Sequence, residues 1–256
     1  MASARASDEI LRMSPVGRVL FYSGLAALAA GLGALPLARR AAVPAAWLGW
    51  ANAIAAGLML GAAWLLVEVG MRQGALAASA GAILGIGFLF WIHAAARPSE
   101  VGTNPNEADG ARYEAAVVFR SALHSAAEGV AIGASMAVRL ELGVFMAIAM
   151  AVHNVPEGMV LSAVLRRRGV SAPAAAMRAV AVNGGQVALA AAAFAATTLA
   201  PVTLAWALGF AAGALIYLVL VELLPESYHQ AGRTSIAVLT SLAIGAVVLL
   251  QTLAKR

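Results

Sequence analysis

A run of apolar stretches, each close to 20 residues long and each closed by a short polar break, is what most constrains this chain. They fall at about 18–38, 46–70, 75–95, 114–138, 141–165, 173–198, 203–225 and 234–253. A hydrocarbon layer about 30 Å thick takes roughly 20 apolar residues of helix to cross. Lipid offers no hydrogen-bond partner to an open strand or loop, so the crossing elements must be helices or a closed barrel. The sequence therefore predicts an all-α membrane protein, a bundle of eight transmembrane helices. Composition excludes a soluble globule: 62% of the 256 residues are hydrophobic and 11% are charged. Soluble domains carry about 25% charged residues, and this chain has too few to coat a water-facing surface.

The breaks carry turn chemistry. Arg39 and Arg40 precede Pro44, Arg72 and Gly74 mark a tight turn, and Arg139 to Glu141 mark another. Arg166 to Gly169 close the fifth stretch, and Ser171 with Pro173 reads as an N-cap and first-turn proline for the sixth. The longest connection, about 96–113, holds Pro98, Gly102, Asn104, Pro105 and Asp109 and divides the bundle into a 3+5 arrangement. Residues 1–17 read as a polar N-terminal tail and 18–256 as a single transmembrane domain. The first apolar run ends in the small residues of a cleavage site (LGALPLA), but its length favours a retained span over a signal peptide.

The net charge of +5 sits in short basic clusters between apolar stretches, which is the placement of topology signals and not of a nucleic-acid footprint. With the N-terminus outside, the inner breaks hold Arg39, Arg40, Arg97, Arg112, Arg166, Arg167, Arg168, Arg178 and Arg233, and the outer ones hold Arg72 and Arg139. Loop asymmetry thus places both termini outside, although the basic residues of the tails oppose it. An Ala-rich, Arg-over-Lys composition points to a bacterial cytoplasmic (inner) membrane. The chain has no cysteine, so a metal site must use imidazole, carboxylate, amide or thioether ligands.

Two neighbouring stretches carry the same polar pattern. The fourth contains HSAAEG, with His124 and Glu128, and the fifth contains HNVPEG, with His153 and Glu157. A spacing of four puts each pair on one helix face, one turn apart. Each pair starts about ten residues into its helix, roughly 15 Å deep at about 1.5 Å per residue, near the midplane. A carboxylate at that depth costs about 2.5–3.5 kcal/mol, and two facing carboxylates repel unless protonated or bridged by a cation. Two imidazoles and two carboxylates suit Zn²⁺, with Fe²⁺, Mn²⁺ and Cd²⁺ also fitting. A proton relay or a metal-free Glu–His network is the other reading. Pro156, in mid-helix, frees the carbonyl of Val152; it either lines a polar path or makes a packed kink.

HNVPEG closely resembles the signature of the ZIP (Zrt/Irt-like) family of divalent metal transporters, and HSAAEG is a relaxed version of it. GLMLGAAWLLVE (Gly57 to Glu68), SAVLRRRG and LGFAAGALIYLVLVELLPES (Leu208 to Ser227) resemble that family's second, fifth and seventh helices. The resemblance implies a metal site of His124, Glu128, His153 and Glu157. It also implies a second, adjacent ion whose further ligands fall on Ser125, Asn154 and Gln186; with no carboxylate among them, that ion is expected to be weak or absent. Met59 matches a methionine lining the family's pathway, against a plain reading as core packing. Two departures stand out: the 96–113 connection lacks a histidine run, and Arg120 lies one turn before His124, where a positive charge opposes a cation.

The function expected is transport of a zinc-like divalent cation toward the cytoplasm, without enzymatic activity. An intramembrane zinc-dependent hydrolase is the alternative, but both glutamates read as ligands and no separate general base is apparent. The partners expected are divalent metal ions and the lipid bilayer, with no nucleic acid; a homodimer is compatible. Glu68, Glu222, Glu226 and His229 read either as the mouth of the cation route or, more plainly, as solvated helix ends, and His93 likewise, with an interfacial position the plainer reading.

Overall fold

The computed structural model describes residues 12–39, 43–95 and 107–254, with the side chains of residues 39, 107–117, 120 and 254 left outside the description. The first part of the expected tail, the centre of the 96–113 connection and the side chain of Arg120 accordingly lie outside the described residues. The described chain is helical, and no strand occurs in it.

Helix α1 (Pro15–Leu32) starts before residue 18, inside the segment read as tail, because Ser14 caps it. The Ser14 hydroxyl accepts the Gly17 N–H at 3.1 Å, and proline opens the first turn. A short α2 (Leu35–Arg39) follows. Helix α3 spans Ala45–Ala95, and α4, Glu107–Val138, begins ahead of residue 114 and takes up the end of the expected connection. Helix α5 (Leu140–Arg167) runs through Pro156. The expected span 173–198 is two helices, α6 (Ala172–Val182) and α7 (Gly184–Leu199), parted at Asn183. Ser171 caps α6 by accepting the Ala174 N–H at 3.4 Å. Helix α8 (Thr203–Leu218) passes through a π-helical turn, Val219–Leu223, into α9 (Leu224–Gln230), and α10 (Arg233–Ala254) ends the described chain.

As a straight rod, the 51 residues of α3 would reach about 76 Å, more than twice the hydrocarbon thickness. The rod is broken at Gly74, the one residue in it with non-helical backbone (φ 167°, ψ 99°). A Cβ on Gly70 would stand 3.3 Å from that of Ala78, whereas eight residues of straight helix separate atoms by about 12 Å. The neighbours agree. Along the first arm, Gly49 lies against Ser227 and Gln230, and Gly70 lies against Leu208. Along the second, Gly81 meets Trp206 and Gly85 meets Phe210. Numbers run in opposite senses in the first case and together in the second, so the two arms of α3 are antiparallel.

The helices fall into two groups. One consists of α3, α8, α9 and α10, and the other of α1, α4, α5, α6 and α7. Close backbone approach holds each together: a Cβ on Gly85 would fall on the carbonyl of Phe210, one on Gly129 on that of Gln186, and one on Gly158 on that of Ala30. The groups meet mainly where α4 faces α8 and α3 faces α5. Among the described residues, six helical stretches are long and apolar enough to cross a membrane: Pro15–Ala38, Ala45–Ala95, Leu140–Arg167, Ala172–Leu199, Thr203–Gln230 and Arg233–Leu253. Their outer faces expose Trp64, Leu76, Trp91 and Leu199, a skin suited to acyl chains. Met59 is fully buried in the core.

Candidate metal site

Glu128 and His153, from adjacent helices α4 and α5, meet at the centre of the second group. The His153 Nε2 lies 3.2 Å from the Glu128 Oε1. Both side chains are buried, Glu128 completely. One turn beyond His153, Glu157 accepts the hydroxyl hydrogen of Ser121. The Oε2 atoms of Glu128 and Glu157 and the Nδ1 of His153 are buried without a hydrogen-bond partner among the described residues. Burying such atoms unpaired costs free energy that a cation would recover.

A cavity of about 240 Å³ opens beside them, bordered by Asn52, Ser121, His124, His153, Glu157 and Glu222 among others. His124 shares this cavity and reaches toward the other helix group. Its Nδ1 lies 3.5 Å from Oε2 of Glu222, and its ring stacks on that of His93 at 5.3 Å between centroids. The four expected ligands thus divide, with Glu128, His153 and Glu157 together on α4 and α5 and His124 reaching across to α8 and α3.

The three neutral positions, Ser125, Asn154 and Gln186, are buried. The Asn154 amide donates to the Gln186 side-chain oxygen at 2.9 Å and to the Ala26 carbonyl at 2.8 Å. The Ser125 hydroxyl donates to Ala122 O at 2.9 Å and approaches Val182 O at 3.4 Å. All three residues are fully buried; the Asn154 bonds join α5 to α1 and α7, and Ser125 joins α4 to α6.

His93 and Glu222, expected at helix ends or at the mouth of a cation route, both lie against His124. The seventh stretch does not stop at 225: α9 continues it to Gln230, so Glu222 lies two turns inside. Pro225 has no N–H and crowds the carbonyl four residues back. The helix absorbs it as a π turn, in which the Leu224 N–H donates to Val219 O. The signal that would have found Glu222 is an acidic residue three before a proline inside an apolar helix. Glu68, by contrast, is a helix-end residue, paired with Arg72 at 2.6 Å and accepting from Gln251 at 2.9 Å.

Residues 112–251 match the ZIP zinc transporter family. The chain is 34% identical over 235 residues to the zinc transporter GufA of Myxococcus xanthus, covering 85% of this chain and 91% of that protein. It is 31% identical over 242 residues to an Arabidopsis thaliana protein provisionally named as a zinc transporter, covering 93% of this chain and 39% of the plant protein. The chain therefore spans nearly all of the bacterial relative and well under half of the plant one.

Proposed function

The chain belongs to the ZIP zinc transporter family, and from that premise we propose that it carries Zn²⁺ or a similar divalent cation across a bacterial inner membrane toward the cytoplasm. The observation carrying the reading is the approach of His153 to Glu128 at 3.2 Å across two helices, with Glu157 a turn away beside the cavity. An ion entering from outside sheds water and takes the carboxylate oxygens of Glu128 and Glu157 and the imidazole nitrogen of His153. His124, on the same helix face as Glu128, completes the set when it turns back from Glu222. Such nitrogen and oxygen donors suit zinc, and Fe²⁺, Mn²⁺ and Cd²⁺ are accepted by the same chemistry.

The same reading takes the antiparallel arms of α3 as two crossings, so that the chain crosses eight times in a 3+5 arrangement, from about residue 18 to the end, with both termini outside. Movement of one helix group against the other would open the site to each side in turn, as carriers with midplane sites do. The ion gradient is the driving force, and a homodimer is the assembly we favour. An ion at Ser125, Asn154 and Gln186 would have to displace the Asn154–Gln186 amide pair, so that position holds an ion weakly at most. Ligands must be deprotonated to bind, and uptake is therefore expected to fall as the outer solution is acidified.

Uptake of zinc into liposomes holding the purified protein tests the reading, with His153→Ala and Glu157→Ala run beside the wild type. Uptake by the wild type and its loss in both variants supports the site. Undiminished uptake in both removes it.

A further inference from the structure

We propose that a cavity at the end of the bundle where α1 begins binds a net-negative glycerophospholipid of the phosphatidylglycerol kind, and that Arg18 takes its phosphate. The inference needs only that the chain spans a membrane and is independent of the carrier reading.

The cavity, about 250 Å³, is lined by Pro15, Arg18, Met136, Leu140 and Phe194. Pro15 and Arg18 are in the opening turn of α1, Met136 is two residues short of the end of α4, and Leu140 starts α5. Phe194 is near the end of α7. Two helices begin here and two end, so the cavity lies at one face of the bundle, where hydrocarbon gives way to headgroups. Arg18 is three residues past Pro15, a rise of about 5 Å along α1, which sets its guanidinium at phosphate level.

Arg18 is part-buried, and its Nε is sealed from solvent without a hydrogen-bond partner among the described residues. A guanidinium stays charged and offers its donors as a rigid planar fork, and a buried donor left unpaired is unfavourable. The carbonyls that end α4 and α7 are close by, yet none accepts from this nitrogen. Leu140 opens α5, whose N-cap Arg139 supplies no side-chain cap. The first turn of α5 therefore adds unpaired N–H groups and partial positive charge at the same border. A phosphate satisfies both, since guanidinium takes its oxygens in pairs and a helix N-terminus favours an anion.

The lining says that this phosphate belongs to a lipid. Four of the five residues are apolar, and Val16 and Leu20, flanking Arg18 on α1, are 43% and 44% exposed. A free anion gains nothing from such neighbours, whereas a lipid lays its glycerol and first methylenes along Met136 and Phe194. Charge selects the headgroup. Along the segments that line the cavity, Arg12, Arg18 and Arg139 are set against one described acid, the exposed Glu141. That balance favours a headgroup without an ammonium of its own. The basic residues that ran against the charge asymmetry of the loops thereby acquire a role.

Native mass spectrometry of the purified full-length protein, titrated in detergent with phosphatidylglycerol or phosphatidylcholine, tests the site. The wild type is expected to retain phosphatidylglycerol in preference, and Arg18→Gln to bind it about 10-fold to 100-fold more weakly, as the loss of a charge-assisted contact requires. Arg167→Gln removes an exposed arginine at the far end of α5 and should bind as the wild type does. Leu140→Trp keeps the charge and fills the cavity; it should lose the lipid too, and it carries the test if Arg18→Gln fails to fold. Equal retention of the two lipids by the wild type, or undiminished phosphatidylglycerol binding in either cavity variant, overturns the proposal. Displacement by an equal concentration of inorganic phosphate also overturns it, by making the ligand the free anion. Binding seen only in the double variant Asp8→Asn, Glu9→Gln overturns it as well, by giving the cavity to the chain's own acids.

Discussion

At the scale of single residues, the expense of burying Glu128 is the most telling feature. Its side chain has no exposure, and on the proposed reading that it lies near the centre of the bilayer, an acid there costs about 2.5–3.5 kcal/mol. Replacing it by glutamine keeps the shape and removes that cost, so Glu128→Gln should be at least as stable as the wild type without metal. With zinc at about a hundred times its dissociation constant, a binding-competent protein gains about 2.7 kcal/mol. The wild type should show that rise in denaturation measured in detergent, and Glu128→Gln should show little or none of it. The approach of His153 to Glu128 was legible, because an ionisable pair at helical spacing on each of two neighbouring helices has no cheap structural explanation in lipid. That His93 and Glu222 would meet His124 was not legible, because contacts between helices far apart in sequence leave no mark in spacing, and the apolar window of the seventh stretch closed at a cluster of polar residues. PESYHQ ended the window, yet the helix continues through it. Nor could spacing along one helix foretell that His124 would approach a residue nearly a hundred positions later.

At the scale of helices, glycine sets how closely α4 and α7 pack. A Cβ on Gly129 would fall on the backbone carbonyl of Gln186, and one on Gly133 on that of Ala190. Backbone cannot yield as a side-chain tip can, so Gly129→Ala should destabilise by about 1–3 kcal/mol. Gly87 has nothing within 4 Å of its would-be Cβ, and Gly87→Ala should be neutral or stabilising by up to about 1 kcal/mol through helix propensity. Thermal denaturation in detergent reads both, and the opposite signs are the point of the comparison. The helical nature of every described element was legible from stretch length and lipid physics alone. Less legible were the ends and interruptions: α1 starts at a Ser14 cap that polar composition disguised as tail. Asn183 parts α6 from α7 while its amide donates to Ala179 O at 3.1 Å, and a single asparagine in an apolar run carries no such signal.

At the scale of the whole molecule, sidedness decides between eight crossings and fewer. With both arms of α3 crossing, single cysteines at Gln73, Arg139 and Ala200 should react with an impermeant maleimide added outside intact cells. Cysteines at Arg168 and Arg233 should react only after permeabilisation. A shielded Gln73 with the later positions unchanged would make α3 a re-entrant hairpin instead of two crossings. Which helices group together was not legible from the sequence. It depends on which glycine stripes find each other, as Gly81 and Gly85 find Trp206 and Phe210, and small residues are too common in this chain to single out partners.

The fold-back at Gly74 bears on how the chain gets into the bilayer in the first place. A break of one residue leaves no watery loop on which the first arm could wait for the second, so on the eight-crossing reading the two arms enter the lipid as a hairpin. The leading tip of that hairpin carries Glu68 and Arg72, neutralised by each other at 2.6 Å. Forming that pair before passage would spare the nascent protein the burden of hauling two separate charges through oil.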